Sequence, residues 1–274
     1  MHSLRRSMLR DDRFIHDRAN ILGINVSAIN MAKAVELAEL CISTGNRGYV
    51  CVTGVHGVME AQHAPDLRAI LNEAFINTPD GMPMSWVGRL QGFKSMGRVY
   101  GPDFMAEMCR ISTERSYTHF LYGGNEGVAE LLAKRLADRF VGCRIVGTYT
   151  PPFRPLNASE EENLHRIVNA AKPDIFWIGL STPKQERFMA RYIDTLDVKL
   201  MVGVGAAFDI HTGRIKDAPA WMKLGGLQWL HRLLQEPKRL GPRYLTNNPR
   251  FLWSIARQFM RAPRDRNSVT YKLP

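Results

Sequence analysis

Thr118-His119-Phe120-Leu121-Tyr122 is a short apolar and aromatic run; Gly123-Gly124-Asn125-Glu126-Gly127 follows it, and Val128 to Phe140 then repeats apolar residues at helical spacing. Strand, glycine-rich turn and helix arrive in the order that phosphate binders use. Backbone without Cβ atoms at a strand end lets amides and a helix N-terminus approach an anion. Tyr122, Gly123 and Gly124 are therefore candidate contacts to a diphosphate. The GxGxxG spacing is absent, so the turn is not a dinucleotide fingerprint.

On either side the same alternation recurs. Ile29 to Cys41 reads as a helix, Gly48 to Thr53 as a strand, and a second helix runs through Leu67 to Ala74. Farther on come a short strand near Arg144 to Gly147 and strands over Asp174 to Leu180 and Lys199 to Gly203, with a helix around Lys184 to Tyr192 between the last two. This pattern predicts an α/β fold: a Rossmann-like, doubly wound, mainly parallel sheet over 21–213, with ligands beyond the carboxyl ends of the strands. Residues 1–20 read as a basic N-terminal segment with little order of its own. No internal repeat or low-complexity segment interrupts the chain.

After residue 214 the strand signal stops. From Lys216 to Arg264 there are ten Lys or Arg against two acidic residues, Asp217 and Glu236, interleaved with Trp221, Leu224, Leu227, Trp229, Leu230, Leu233 and Leu234. The pattern predicts a helical, basic appendage and tail over 214–274, suited either to an interface or to packing on the core with a solvated basic face. Arg250, Arg257 and Arg261 share one helical stripe, and Phe251, Ile255 and Phe259 another.

Composition bounds the partner. The 274 residues carry a formal net charge of +11, which asks for an anion: nucleic acid, an acidic lipid surface or a phosphorylated small molecule. MHSLRRSMLRDDRF lacks the apolar stretch of a secretory signal, so export is not expected. No run approaches the roughly 20 apolar residues of a membrane span, so any membrane contact is expected to be peripheral. Cys41, Cys51, Cys109 and Cys143 are far apart with no CxxC pair, so neither a structural disulfide nor a zinc site is expected.

Five polar loops are candidates for chemistry. In Thr78-Pro79-Asp80-Gly81-Met82-Pro83, Pro and Gly pin the backbone around a carboxylate, and proton abstraction needs such fixed geometry; the same residues also make an ordinary turn. Gly97-Arg98-Val99-Tyr100-Gly101-Pro102-Asp103 offers Arg98 to a phosphate, while Asp103 reads more readily as the N-cap of the helix that follows. The glycine turn at 122–127 is the third. In Gly179-Leu180-Ser181-Thr182-Pro183-Lys184-Gln185-Glu186-Arg187, polar groups crowd a strand end, where Lys184, Gln185 and Glu186 either meet ligand or decorate a first helical turn. Gly203-Val204-Gly205-Ala206-Ala207-Phe208-Asp209 is the fifth, its glycines explained by a ligand or by a tight crossing. His63, His119 and His165 stand isolated and receive no role. His56 follows a strand directly and is better placed.

There is no Asp-x-Asp pair, HExxH, Walker or GxSxG motif. A departing diphosphate would then be neutralised by arginines and backbone dipoles, with no metal expected.

Taken in order, TPDGMP (78–83), GRVYGPDFM (97–105), FLYGGNEGVAELL (120–132), GLSTPKQERFM (179–189), GVGAAFDIHTGRIKDAPAWM (203–222) and GLQWLHRLLQEPKRLGPRYL (226–245) resemble the WecG/TagA/CpsF glycosyltransferases. The similarity runs from about residue 21 to 253. It implies a Rossmann-like core with a C-terminal appendage, and an inverting, metal-independent transfer of a hexose or N-acetylhexosamine-type sugar from a UDP-sugar to an undecaprenyl-diphosphate-linked sugar in surface-polysaccharide synthesis. By the same resemblance Asp80 is the base, and Arg98 and Gln185 line the donor or acceptor site. Substrate contacts are expected from Thr53, Gly54, His56, Gly81, Tyr100, Asp103, Tyr122, Gly123, Gly124, Lys184, Glu186, Gly205 and Asp209. Arg232, Arg239 and Arg243 are candidates for the diphosphate clamp and lipid side, although Pro237 and Pro242 argue against one unbroken helix carrying all three. Many members place Thr-x-Asn after the first core strand; here Thr53-Gly54-Val55-His56 has no asparagine, and His56 stands as its substitute.

The implied partners are the UDP-sugar, the polyprenyl-diphosphate acceptor and an anionic membrane surface, with no nucleic acid. The implied location is cytoplasmic, peripheral on the inner face of the plasma membrane, and homo-oligomerisation is compatible with the family. Two rivals remain at this level: a nicotinamide-dependent α/β oxidoreductase, disfavoured by the missing fingerprint, and a non-enzymatic binder of nucleic acid or anionic membrane, which would need no cleft at the strand ends.

Overall fold

A computed structural model describes residues 12–261. Six strands form one sheet in the order β4-β3-β8-β7-β5-β6, every neighbouring pair parallel: β3 (Gly48–Thr53), β4 (Ile76–Pro79), β5 (Thr118–Gly123), β6 (Arg144–Tyr149), β7 (Ile175–Gly179) and β8 (Leu200–Gly203). β3 passes outward to β4 on one edge, β5 passes outward to β6 on the other, and β7 and β8 fill the middle. The carboxyl ends of the central strands consequently open onto one crevice, as the doubly wound expectation requires.

Strand residues alternate between two cores because successive side chains leave a strand on opposite faces. Tyr49, Cys51, Phe176, Ile178 and Met201 enter one cluster, and Val50, Ile175, Trp177, Leu200 and Val202 enter the other. The second cluster is covered by α1 (Met31–Ser43) and, taking the chain's other helices in order, by α5 (Gly101–Arg115) and α6 (Val128–Arg139), with Ala207 and Phe208 of a short later helix completing it. Against the first face lie α2 (Val55–Glu60), α3 (Pro65–Glu73), α4 (Met82–Leu90), α7 (Ala158–Ala171) and α8 (Lys184–Tyr192). Asn30 caps α1, its side chain accepting from the Lys33 amide, and Asn157 with Glu160 forms a capping box on α7.

The core begins earlier than residue 21. β1 (Arg18–Ile21) and β2 (Ile24–Ser27) form an antiparallel hairpin that buries Ala19, Ile21, Ile24 and Val26 completely. Its strands are four residues long, with Asn20 and Asn25 in the alternation, which hides them from a periodicity search. Buried Arg18 fixes the hairpin to the end of α3 and the turn into β4 by donating to the Asn72, Ala74 and Phe75 carbonyls at 3.2, 2.7 and 3.0 Å. Residues 1–11 of the basic N-terminal segment, and 262–274 of the tail, lie outside the described residues.

Beyond β8 come only helices among the described residues: α9 (Ala207–His211), α10 (Ala220–Leu224), α11 (Gln228–Gln235) and α12 (Pro237–Arg261). Pro237 sits in the first turn of α12, where its missing N–H is not needed, and the helix continues through Pro242 and Pro249. The break falls at Glu236, with φ −132° and ψ 57°. Arg239 and Arg243 therefore share one face of α12, one turn apart, and Arg232 approaches from α11. Phe251 and Ile255 pin α12 to the core, while Trp221, Leu224, Leu245, Leu252 and Trp253 are exposed along the appendage. No described helix is long and apolar enough to cross a membrane.

Candidate active site

A cleft of about 170 Å³ lies over the carboxyl ends of β3, β7 and β8 and is roofed by α11 and α12. Its floor is Asp80, the residue following β4. Two backbone bonds hold that turn to neighbouring chain: the Asp80 amide donates to the Thr53 carbonyl at 3.0 Å, and the Val99 amide donates to the Pro79 carbonyl at 2.9 Å. Gly54 permits the close approach, since a Cβ there would stand 3.2 Å from the Asp80 carbonyl oxygen and 3.6 Å from Oδ2. Gly81 takes φ +84°, a conformation that favours glycine, and turns the chain into α4.

Burial pushes the Asp80 carboxyl up to about 6, against the pull of the Arg98 and Arg232 guanidinium groups. Desolvation disfavours the anion more than the cations favour it. A carboxyl so balanced exchanges its proton near neutral pH, which is what a general base must do.

Across the cleft stand the arginines. Arg232, Arg239 and Arg243 all line it, together with Tyr244 and Leu240. Glu236 ties two of them down, accepting from Arg232 at 3.2 Å and from Arg239 at 2.7 Å. Burial holds Arg243 down to about 10, and its neighbours Arg239 and Arg232 disfavour its charge as well. Arg232 Nε and Arg243 Nε are enclosed and bonded to nothing. Enclosed, unsatisfied guanidinium N–H groups converging from two helices suit an anion with several acceptor oxygens.

Residues 19–265 match the family described as Glycosyl transferase WecG/TagA/CpsF. The chain belongs to that family. It is 25% identical over 174 residues to the N-acetylglucosaminyldiphosphoundecaprenol N-acetyl-beta-D-mannosaminyltransferase of Bacillus subtilis (strain 168), a stretch covering 64% of this chain and 66% of that protein. Against the protein of the same name from Bacillus spizizenii it is 28% identical over 207 residues, covering 73% of this chain and 79% of that one. The first of these matches spans just under two thirds of the relative's length.

In this WecG/TagA/CpsF glycosyltransferase the appendage is bolted to the core beside Asp80. Arg98 donates to Gln228 Oε1 on α11 at 2.8 Å and to Asp103 Oδ2 at 3.1 Å, and lies 4.7 Å from the centre of the Tyr100 ring. Tyr100 lines the cleft and donates through its hydroxyl to Asp217 at 3.2 Å; Lys223 pairs with Asp217 as well and reaches Asp103 at 3.7 Å. Asp103 is thus an ion-pair partner in the first turn of α5. The N-cap expected of it is Tyr100, because Gly101-Pro102 already starts the helix. Arg98 itself lies behind the cleft lining and faces Asp80 only electrostatically.

Other expected contacts divide. Gly124, Gln185, Gly205 and Asp209 line the cleft. Gly123 lies just behind it: with φ +115°, a Cβ there would come within 2.8 Å of the Gly179 carbonyl oxygen, so glycine serves the close approach of the paired ends of β5 and β7. Tyr122 points to the opposite face, stacked on Phe188 and Tyr149 at 4.4 and 5.7 Å, and meets no ligand space. Glu186 is buried, accepting from Thr182 Oγ1 at 2.8 Å and Gln185 Nε2 at 3.1 Å, and burial raises its pKa. Lys184 is exposed on the first turn of α8. Thr53 is buried with its hydroxyl unpartnered. His56 faces α12, 3.2 Å from Asn247 Nδ2. Ser181, Thr182, Phe208 and Tyr244 line the cleft without having been singled out; Ser181 takes φ +65°, unusual for a residue with a Cβ.

Proposed function

We propose that this glycosyltransferase moves an N-acetylhexosamine-type sugar from a UDP-sugar to an undecaprenyl-diphosphate-linked sugar, by in-line displacement with inversion and without a metal ion. The names of the two Bacillus relatives support N-acetylmannosamine as the sugar and N-acetylglucosaminyl-diphosphoundecaprenol as the acceptor. Asp80 accepts the proton of the acceptor hydroxyl as that oxygen attacks the anomeric carbon. The glycosidic C–O bond breaks on the opposite side, and the departing UDP diphosphate is held by Arg232, Arg239 and Arg243.

The observation that carries this reading is the opposition of a single raised-pKa carboxyl to converging arginines across one cleft. Asp209, the other carboxylate in the lining, lies 3.4 Å from Arg214 in an ion pair. Among the described residues, the one grouping of three His, Cys, Asp or Glu side chains close enough to share a metal includes no cleft residue. Exposed Trp221, Leu224, Leu245 and Trp253 beside the appendage's basic residues support peripheral docking on an anionic membrane, which would bring the roof of the cleft to the lipid-linked acceptor.

The test is direct. The protein is incubated with a panel of UDP-sugars and a short-chain polyprenyl-diphosphate sugar, with and without EDTA, and product mass and anomeric configuration are read. A β-linked disaccharide from an α-linked donor, formed equally in EDTA, is expected; retained configuration, loss of turnover in EDTA, or transfer to no lipid-linked sugar would overturn the corresponding part. Truncation after residue 215 should abolish sedimentation with anionic vesicles, and undiminished binding would remove the docking role.

A further inference from the structure

Three chemistry-bearing side chains meet at the far end of the sheet from the cleft. Cys109 lies on α5, His119 is the second residue of β5, and Cys143 sits in the turn between α6 and β6. All three are buried, and their two sulfurs and a ring nitrogen lie within 4.8 Å of one another. His119 is four residues from the cleft end of its strand, roughly 13 Å at the rise of an extended chain. Sugar transfer makes no use of this cluster.

Trp177 on β7 settles what the histidine can do there. Its indole Nε1–H donates to His119 Nδ1 at 2.9 Å, with the two rings within 5° of coplanar. An indole only donates, so Nδ1 must present its lone pair, and a neutral imidazole then carries its proton on Nε2. Nε2 is enclosed and has no other partner, which leaves the sulfurs as its neighbours. A metal would need the Nε2 lone pair; with Nδ1 already accepting, the ring has no second lone pair to give. The cluster is therefore built as a hydrogen-bond donor beside two thiols.

The thiols are not equivalent. Cys109 is fully enclosed while Cys143 keeps 8% of its surface exposed, and the hydrogen bond between the two thiols, with His119 beside them, favours the thiolate at Cys143. Cys143 also follows exposed Val141 and Gly142, so a small solute has a short way in. Cys41 and Cys51 form the contrast. Both are buried, Cys41 donating toward the Asn46 and Lys199 carbonyls at 3.5 and 3.9 Å, and burial pushes Cys41 up to about 12 and Cys51 well above its ordinary value.

We propose that Cys109 and Cys143 form a peroxide-oxidisable dithiol in which Cys143 attacks, Cys109 resolves, and His119, oriented by Trp177, is the positioning residue. The Cys143 thiolate takes one oxygen of hydrogen peroxide as the O–O bond breaks, becoming a sulfenic acid, and the hydroxide released takes up a proton as water. Cys109 sulfur then attacks that sulfur, its proton leaving with the departing hydroxyl as a second water. Two thiols and one peroxide become one disulfide and two waters, joining α5 to the α6–β6 turn, and a thiol reductant reverses the step.

The test uses the full chain. After brief treatment with hydrogen peroxide and alkylation, peptide mapping should show a Cys109–Cys143 cross-link formed at least about tenfold faster than any modification of Cys41 or Cys51, and removed by dithiothreitol. Cys109→Ser should leave a Cys143 sulfenic acid that dimedone traps. Trp177→Phe should move the pH profile of Cys143 alkylation upward and slow oxidation, a change that packing alone would not produce; should that variant fail to fold, the wild-type map decides. Oxidation of Cys143 no faster than of Cys41, absence of the cross-link, or stoichiometric zinc or copper in the purified protein that Cys109→Ser releases would each overturn the proposal.

Discussion

Gln185 Oε1 accepts a hydrogen bond from the Gly205 backbone amide at 3.1 Å, tying the start of α8 to the loop after β8. Its Nε2 donates to Glu186 Oε1, so both ends of the amide are occupied inside the protein. The residue lines the cleft, yet its polar atoms hold the wall together. Gln185→Leu would leave the Gly205 N–H only its longer bond to the Ile178 carbonyl at 3.3 Å and take from the buried Glu186 one of its two side-chain donors, a loss of about 1–3 kcal/mol. Thermal denaturation should show a drop of several degrees, and turnover in the same preparation should fall by no more than roughly tenfold. A loss as deep as that of Asp80→Asn, in a variant with unchanged melting temperature, would place the amide on substrate.

Asp80→Asn should keep UDP binding and lose roughly 10²- to 10⁴-fold in turnover. The pH dependence follows from the sign of the shift. Burial raises the folded-state pKa from 3.8 to about 6, so this carboxyl favours the folded state fully below pH 3.8, and that contribution is lost as pH rises through 6. The asparagine variant should therefore melt higher than wild type above pH 6 and no higher near pH 4. In the wild type, kcat/KM should climb to a plateau past pH 6 as the base ionises. Near-normal turnover in the variant would remove Asp80 from the base role.

How far such a site can be read from sequence depends on whether its signal is local. β3, β5, β7 and β8 are dense apolar runs, and their boundaries follow from hydrophobic content within a residue or two. β4 is four residues, Ile76-Asn77-Thr78-Pro79, and reads as part of a turn; only pairing with β3 makes it a strand, so Asp80 is legible as a rigid carboxylate but not as a strand-end residue. Asp103 and Tyr122 show the opposite error. Both sit in motifs with strong local character, and tertiary neighbours decide otherwise: Arg98 and Lys223 claim Asp103, and an aromatic stack claims Tyr122. The convergence of Arg232 and Arg243 on the cleft depends on the break at Glu236, and the meeting of Cys109, His119 and Cys143 on three separate elements has no sequence signal at all.

Arg243→Gln should raise the melting temperature of the ligand-free enzyme while weakening UDP binding. Arg243 is charged at neutral pH in both folded and unfolded states, but burial and the like charges of Arg239 and Arg232 disfavour the cation in the fold. A diphosphate bound as proposed would relieve that cost. UDP or pyrophosphate should then raise the wild-type melting temperature more than the variant's, because a ligand stabilises the fold in proportion to its occupancy of the native state alone. Equal ligand shifts in the two proteins would take Arg243 out of the clamp.

Arg98→Lys should loosen the appendage. Lysine keeps the charge beside Asp80 but cannot bond Gln228 and Asp103 at once through a planar fork, nor stack equally on Tyr100. Limited proteolysis should cut faster within 213–227, the stretch that carries Asp217 and Lys223, and turnover should fall by roughly tenfold or more as the roof loses its register over the cleft. Unchanged proteolysis with reduced turnover would instead indicate that Arg98 acts on the bound substrate directly.

His56 offers a prediction in which pH separates a structural role from a donor-sugar contact. Burial, helped by nearby Arg243, holds its pKa down from 6.5 to about 3, and its ring meets Asn247 on α12. The folded state thus keeps the imidazole neutral while the unfolded chain takes up a proton below pH 6.5. Its contribution to stability is present above pH 6.5 and is lost as pH falls from there toward 3. His56→Gln cannot be protonated, so its melting temperature should decline less between pH 6.5 and 4 than that of wild type, with donor KM at pH 7.5 unchanged. His16 adds a similar acid sensitivity in both proteins, held down to about 4 by burial, which makes the difference between the two curves the quantity to read. A rise in donor KM with an unchanged acid limb would return His56 to the sugar-contacting position occupied in many family members by asparagine.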